Sequence, residues 1–165
     1  MRADNYYDLI KNALWLFYHR NEYAYFYGAK GQVLTDQVMD NLMHCEPQHF
    51  AKYDPGQLRQ IREYSRGKIG LDCSGFISYI SGRSNWSTGF IEEATDKTTP
   101  ALGPEGSLLY TTFGGTGRHI GLDIGYGYYI DFPREGESAH LGKINETAWE
   151  ISGRMAGVDY TGSKN

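Results

Sequence analysis

The chain reads as an α+β domain, with helices ahead of, and packed on, a small antiparallel β-sheet. Three observations lead there. Apolar residues recur at helical spacing in several segments of the first half, whereas residues 118–132 alternate like a β-hairpin. Between the two patterns, Gly70-Leu71-Asp72-Cys73-Ser74-Gly75-Phe76 places a cysteine where a glycine-containing turn meets an amphipathic run.

In chain order, Tyr7, Ile10, Leu14 and Phe17 predict a helix within residues 1–24, docked on the domain. Thr35 is placed to cap a short helix carrying Val38, Met39 and Leu42. Pro55 opens another, with Leu58, Ile61 and Tyr64 on one face and Gly67 at its end. Asp72 caps the next, whose apolar face is Phe76, Ile77 and Ile80. Residues 100–106 read as a loop. The run Gly114-Gly115-Thr116-Gly117 precedes a strand, not a helix, so it is a flexible approach to that strand and a poor phosphate cradle.

The hairpin carries the chemistry. Ile120, Leu122 and Ile124 alternate with His119, Gly121 and Asp123, and Tyr128–Phe132 form a second β-rich run after Gly125-Tyr126-Gly127. A three-residue loop at 125–127 pairs Ile124 with Tyr128 and sets Gly121 opposite Asp131. His119 then lies diagonal to Asp131 on one sheet face, within side-chain reach. A two-residue loop would put them on opposite faces.

Cys73 falls in the first turn of its helix, where unpaired N–H groups and the macrodipole favour an anion, and the thiolate is the nucleophilic form. Taken alone, the stretch also fits a small buried hydrophobe, as most free cysteines are. A partner base separates the two readings, and His119 with Asp131 supplies a base and a group to orient it.

These residues resemble a known pattern. Asp72-Cys73-Ser74-Gly75-Phe76 followed by His119-Ile120-Gly121-Leu122-Asp123-Ile124-Gly125 is similar to the signature pair of the NlpC/p-sixty cysteine peptidases, bacterial and phage cell-wall endopeptidases of compact papain-like fold. Tyr25-Phe26-Tyr27-Gly28, Gly106–Tyr110 and the tail around Trp149 and Gly153-Arg154-Met155 resemble flanking strands of that family. The resemblance implies Cys73 as nucleophile, His119 as general base and acid, and Asp131 in the third position, often a histidine. It implies Tyr25, Asp72 and Ser74 as substrate-binding residues, Asp72 toward a free amine. The implied substrate is the peptidoglycan stem peptide, cut after γ-D-glutamate. Residues 31–70 form a longer helical insertion before the nucleophile than the smallest members have. The same machinery also suits an amidase or effector acting on another amide, or an idle wall-binding or virion-structural module.

Composition fits one domain over residues 1–165, with 40% hydrophobic and 22% charged residues. A net charge of −4 lacks the basic stripe that nucleic acid calls for. No apolar run is long enough to span a bilayer. Two cysteines make no disulfide framework, and Cys45 is expected as a free structural thiol. His44, Cys45 and His49 lack two spaced ligand pairs, so neither metal nor other cofactor is expected. The charges at Arg2, Asp4, Asp8 and Lys11 leave no secretory signal core. The expectation is therefore a monomer acting outside the cell or at the wall, either a mature or excised form or an endolysin released by phage.

Overall fold

The structure, a computed structural model, describes residues 1–114 and 117–164. The elements run α1 (Tyr6–Tyr18), β1 (Tyr23–Tyr25), β2 (Lys30–Val33), α2 (Asp36–Cys45), α3 (Pro47–Phe50), α4 (Pro55–Ser65), β3 (Ile69–Leu71) and α5 (Cys73–Ser81). They continue through α6 (Ser87–Glu93), β4 (Thr95–Thr98), β5 (Leu108–Gly114), β6 (Gly117–Gly125), β7 (Tyr128–Asp131), β8 (His140–Lys143) and β9 (Ile151–Arg154). The expected α+β architecture is present. Its main sheet has six strands in the order β4-β9-β5-β6-β7-β8, with every pair antiparallel. A second sheet, which no sequence pattern announced, orders β1-β3-β2 and makes β1 and β3 parallel.

The caps behave as their chemistry requires. Asn5 accepts from Asp8 N–H at the start of α1, and Thr35 accepts from Val38 N–H at the start of α2. Asp54 and Gln57 form a reciprocal capping box ahead of α4, with Pro55 at its first position. The buried stripe of α1 is Leu9, Ile10, Ala13 and Leu16, whereas Tyr7 is exposed. Of the expected face, Ile10 is buried and Leu14 and Phe17 pack against the core, and only Tyr7 points away.

One core joins α1, α5 and the main sheet, through residues such as Leu16, Phe76, Ile80, Leu122 and Phe132. A second, smaller core lies under the 31–70 segment and includes Phe26, Leu34, Met39 and Ile61.

The hairpin corrects one expectation. Gly125, not Ile124, pairs with Tyr128, and the tip is only Tyr126-Gly127, both with positive φ. An extra residue on β6 between the pairs Asp123–Tyr129 and Gly125–Tyr128 makes a β-bulge. The bulge restores the alternation that a two-residue tip would have reversed, so Gly121 still faces Asp131. Of the glycine-rich run before this hairpin, Gly115 and Thr116 lie outside the described residues.

Candidate active site

Cys73 opens α5, and its surroundings begin with Asp72. This N-cap carboxylate is buried and fully occupied. Its Oδ1 accepts from Gly75 N–H at 2.6 Å, from Ser74 Oγ at 3.0 Å and from Lys30 Nζ at 2.7 Å; its Oδ2 accepts from Gly28 N–H at 3.2 Å. Lys30 also donates to Ser74 Oγ and lies over the Trp86 ring. These bonds fix the first turn of α5 against β2. Gly75 is required there: a Cβ would stand 2.4 Å from the Ala29 carbonyl oxygen.

The main sheet contributes the imidazole. His119 Nε2–H donates to Asp131 Oδ2 at 2.7 Å, across the diagonal of the β6–β7 pair. Asp131 is buried; desolvation pushes its pKa up, yet hydrogen bonds from His119 and His140 hold it below the ordinary carboxylate range. An ionised carboxylate only accepts, so the proton sits on Nε2 of His119 and Nδ1 is the nitrogen free to serve the thiol. Cys73 is an electrostatic neighbour of this ring. Burial pulls the His119 pKa down, but the bond to Asp131 and the proximity of Cys73 override it and raise the pKa from 6.5 to about 9.

Two residues that sequence reasoning missed complete the arrangement. Trp149 stacks on His119 with ring centroids 5.5 Å apart and planes 17° from parallel. Gly121 makes room for it, because a Cβ there would meet the indole at 3.0 Å. His140 donates from Nδ1 to Asp131 Oδ1 at 3.1 Å, so each carboxylate oxygen holds one imidazole. Trp149 was legible only as part of a flanking motif, and His140 needed the β7–β8 pairing to be known.

Tyr25 is buried beside Cys73, Glu135 and Asp72; desolvation first, and then these negative neighbours, drive its phenol pKa far upward, so it stays protonated as a donor. Ser74 is buried in the Asp72 network. His49 is engaged by Glu135 at 2.5 Å and stacked on Tyr27, while Cys45 is exposed and unbridged. A cavity of about 900 Å³ is lined by Trp149, Asp123 and Tyr126 but by none of Cys73, His119 and Asp131.

No family model matches the chain. Over 81 residues it is 32% identical to Protein P54 of Enterococcus faecium, a match taking in 46% of this chain and 16% of that protein. The chain thus spans about a sixth of that relative's length. Its backbone aligns over 92% of its length with 99% of the NlpC/p60 domain of the peptidoglycan hydrolase SagA, at 24% identity and TM-score 0.56. It aligns over 97% of its length with 70% of the peptidoglycan hydrolase RipB from Mycobacterium tuberculosis, at 14% identity and TM-score 0.55. The architecture described above is the fold of the NlpC/p60 domain.

Proposed function

We propose that this chain, with the fold of the NlpC/p60 domain, is a cysteine endopeptidase that hydrolyses peptidoglycan stem peptides at a γ-D-glutamyl amide bond. The observation that carries the reading is His119, hydrogen-bonded to a buried Asp131 and electrostatically coupled to Cys73, which opens a helix N-terminus. The peptidoglycan hydrolases that share the fold, SagA and RipB, support the substrate class.

In this mechanism His119 Nδ1 takes the thiol proton, and the Cys73 thiolate attacks the amide carbon. The first-turn N–H groups of Cys73 and Ser74 have no intrahelical carbonyl to bind, and they receive the oxyanion. As the C–N bond breaks, the imidazolium returns its proton to the leaving amine. Water then loses a proton to His119 and attacks the thioester, releasing the acid and regenerating the thiol. Asp131 keeps the ring in the Nε2–H tautomer and stabilises its cation throughout. Tyr25, buried beside Cys73, is assigned to substrate binding, and Ser74 acts through the Asp72 network that holds the first turn of α5. A substrate amine directed at Asp72 has to compete with Lys30, which already neutralises that carboxylate.

Digestion of purified muropeptides, followed by mass spectrometry, tests the reading. The expected product carries a new amine on the residue after D-glutamate, and Cys73→Ala abolishes it. Release of the whole stem peptide from the glycan would replace the endopeptidase assignment by an amidase. Retention on cell walls with no soluble product from the wild-type protein would replace it by a wall-binding module.

A further inference from the structure

We propose that His140 is a positioning residue, which pins the Asp131 carboxylate so that its other oxygen stays aimed at His119. The inference rests on Cys73 and His119 being the reacting pair. An aspartate χ2 has a broad, roughly two-fold preference, so a carboxylate held at one oxygen still swings. Here strand pairing sets a histidine on each side of Asp131. Gly121 faces Asp131 across β6–β7, which brings His119 to the diagonal, and His140 faces Asp131 directly across β7–β8. Oδ2 takes His119 Nε2–H at 2.7 Å, and Oδ1 takes His140 Nδ1–H at 3.1 Å. With both oxygens occupied and the side chain only 5% exposed, the carboxylate has one orientation.

The groups facing His140 fit this role. From β7 they are Asp131 and the edge of the Tyr129 ring; from the connecting loop they are Arg134 and Glu137. Donation needs a proton on Nδ1, which both the imidazolium and one neutral tautomer carry, so pinning does not depend on the charge of His140. His140 lies on the edge strand with its side chain half exposed, at the rim of the site and not in contact with the reacting atoms.

The test compares wild type, His140→Ala and His140→Asn by muropeptide kinetics and by the downfield proton resonance of His119 Nε2–H without substrate. For His140→Ala, kcat falls about tenfold, the value of one hydrogen bond to a charged group, while KM stays within about twofold. The His119 resonance broadens or disappears in the same variant. His140→Asn recovers kcat to within about threefold and restores the resonance, because its amide N–H reaches the same oxygen. Should the alanine variant unfold, His140→Leu keeps the bulk without a donor and must show the same two losses. Wild-type kcat and an unchanged resonance in the alanine or leucine variant would overturn the proposal, as would failure of asparagine to rescue. If wild type cleaves no muropeptide, the substrate assignment fails, and the resonance series still decides the role of His140.

Discussion

At the scale of single residues, the proposed chemistry depends on how His119 holds its proton. Its pKa is raised from 6.5 to about 9, so the folded protein binds that proton more tightly than the unfolded chain does. The resulting stabilisation is complete below pH 6.5 and is lost as pH rises through about 9. In the proposed mechanism the same titration limits catalysis, because above it the cation that protonates the leaving amine is gone. The kcat/KM profile is therefore expected to fall above about pH 9. Asp131→Asn removes the charge but leaves an acceptor for Nε2–H. Its alkaline limb should move toward pH 6.5, and it should retain more activity than His119→Ala. An alkaline limb that stays in place in Asp131→Asn would separate the carboxylate from the control of His119. Cys73, His119 and Asp131 were all legible in the sequence, because a thiol at a helix start and an alternating His-Gly-Asp strand are local patterns. His140 and Lys30 were not: each meets the site through strand pairing that no local pattern encodes.

At the scale of elements, two glycines set the distances on which the site depends. Gly75 lets the first turn of α5 lie against the chain at Ala29, and Gly121 lets Trp149 lie across β6 onto His119. Gly75→Ala would put a methyl group 2.4 Å from a backbone oxygen, which cannot turn away as a flexible side chain can. It should cost about 1–3 kcal/mol in urea unfolding, the usual range for overpacking, and should displace Cys73. A variant as stable as wild type would show that β2 and α5 are not held as closely as described. The hairpin shows where sequence reasoning reached the right face by the wrong route. The alternation of 119–124 fixed which residues share a face, but a two-residue tip plus a bulge and a three-residue loop have the same parity. Only the backbone distinguishes them.

At the scale of the whole molecule, Glu135 ties the 31–70 segment to the loop between β7 and β8. Its side chain is completely buried and accepts from His49 at 2.5 Å and from the Tyr53 hydroxyl at 2.6 Å. Burial pushes the Glu135 pKa up, but these two bonds outweigh it and hold the pKa below its ordinary 4.5. With the folded pKa depressed, the contribution is present above pH 4.5 and is lost as pH falls through the folded value. Glu135→Ala should lower stability by about 1–3 kcal/mol, the cost of leaving a buried donor such as the Tyr53 hydroxyl without its acceptor. It should also lose less than wild type on further acidification; equal acid sensitivity would assign that loss to other carboxylates. This clamp was not legible in the sequence, where His49 stood beside His44 and Cys45 and Glu135 lay far downstream in an irregular loop.

In the proposed function, the fold brings a helix-borne thiol and a sheet-borne imidazole together, and Cys73 is an activated nucleophile. The most direct measurement is the rate of iodoacetamide labelling at each cysteine, resolved by peptide mass spectrometry. Cys45, exposed and unbridged on α2, is the internal reference. Cys73 should label faster than Cys45. His119→Ala should remove most of that difference by taking away the cation. Identical labelling rates for Cys73 and Cys45 in the wild-type protein would contradict the account.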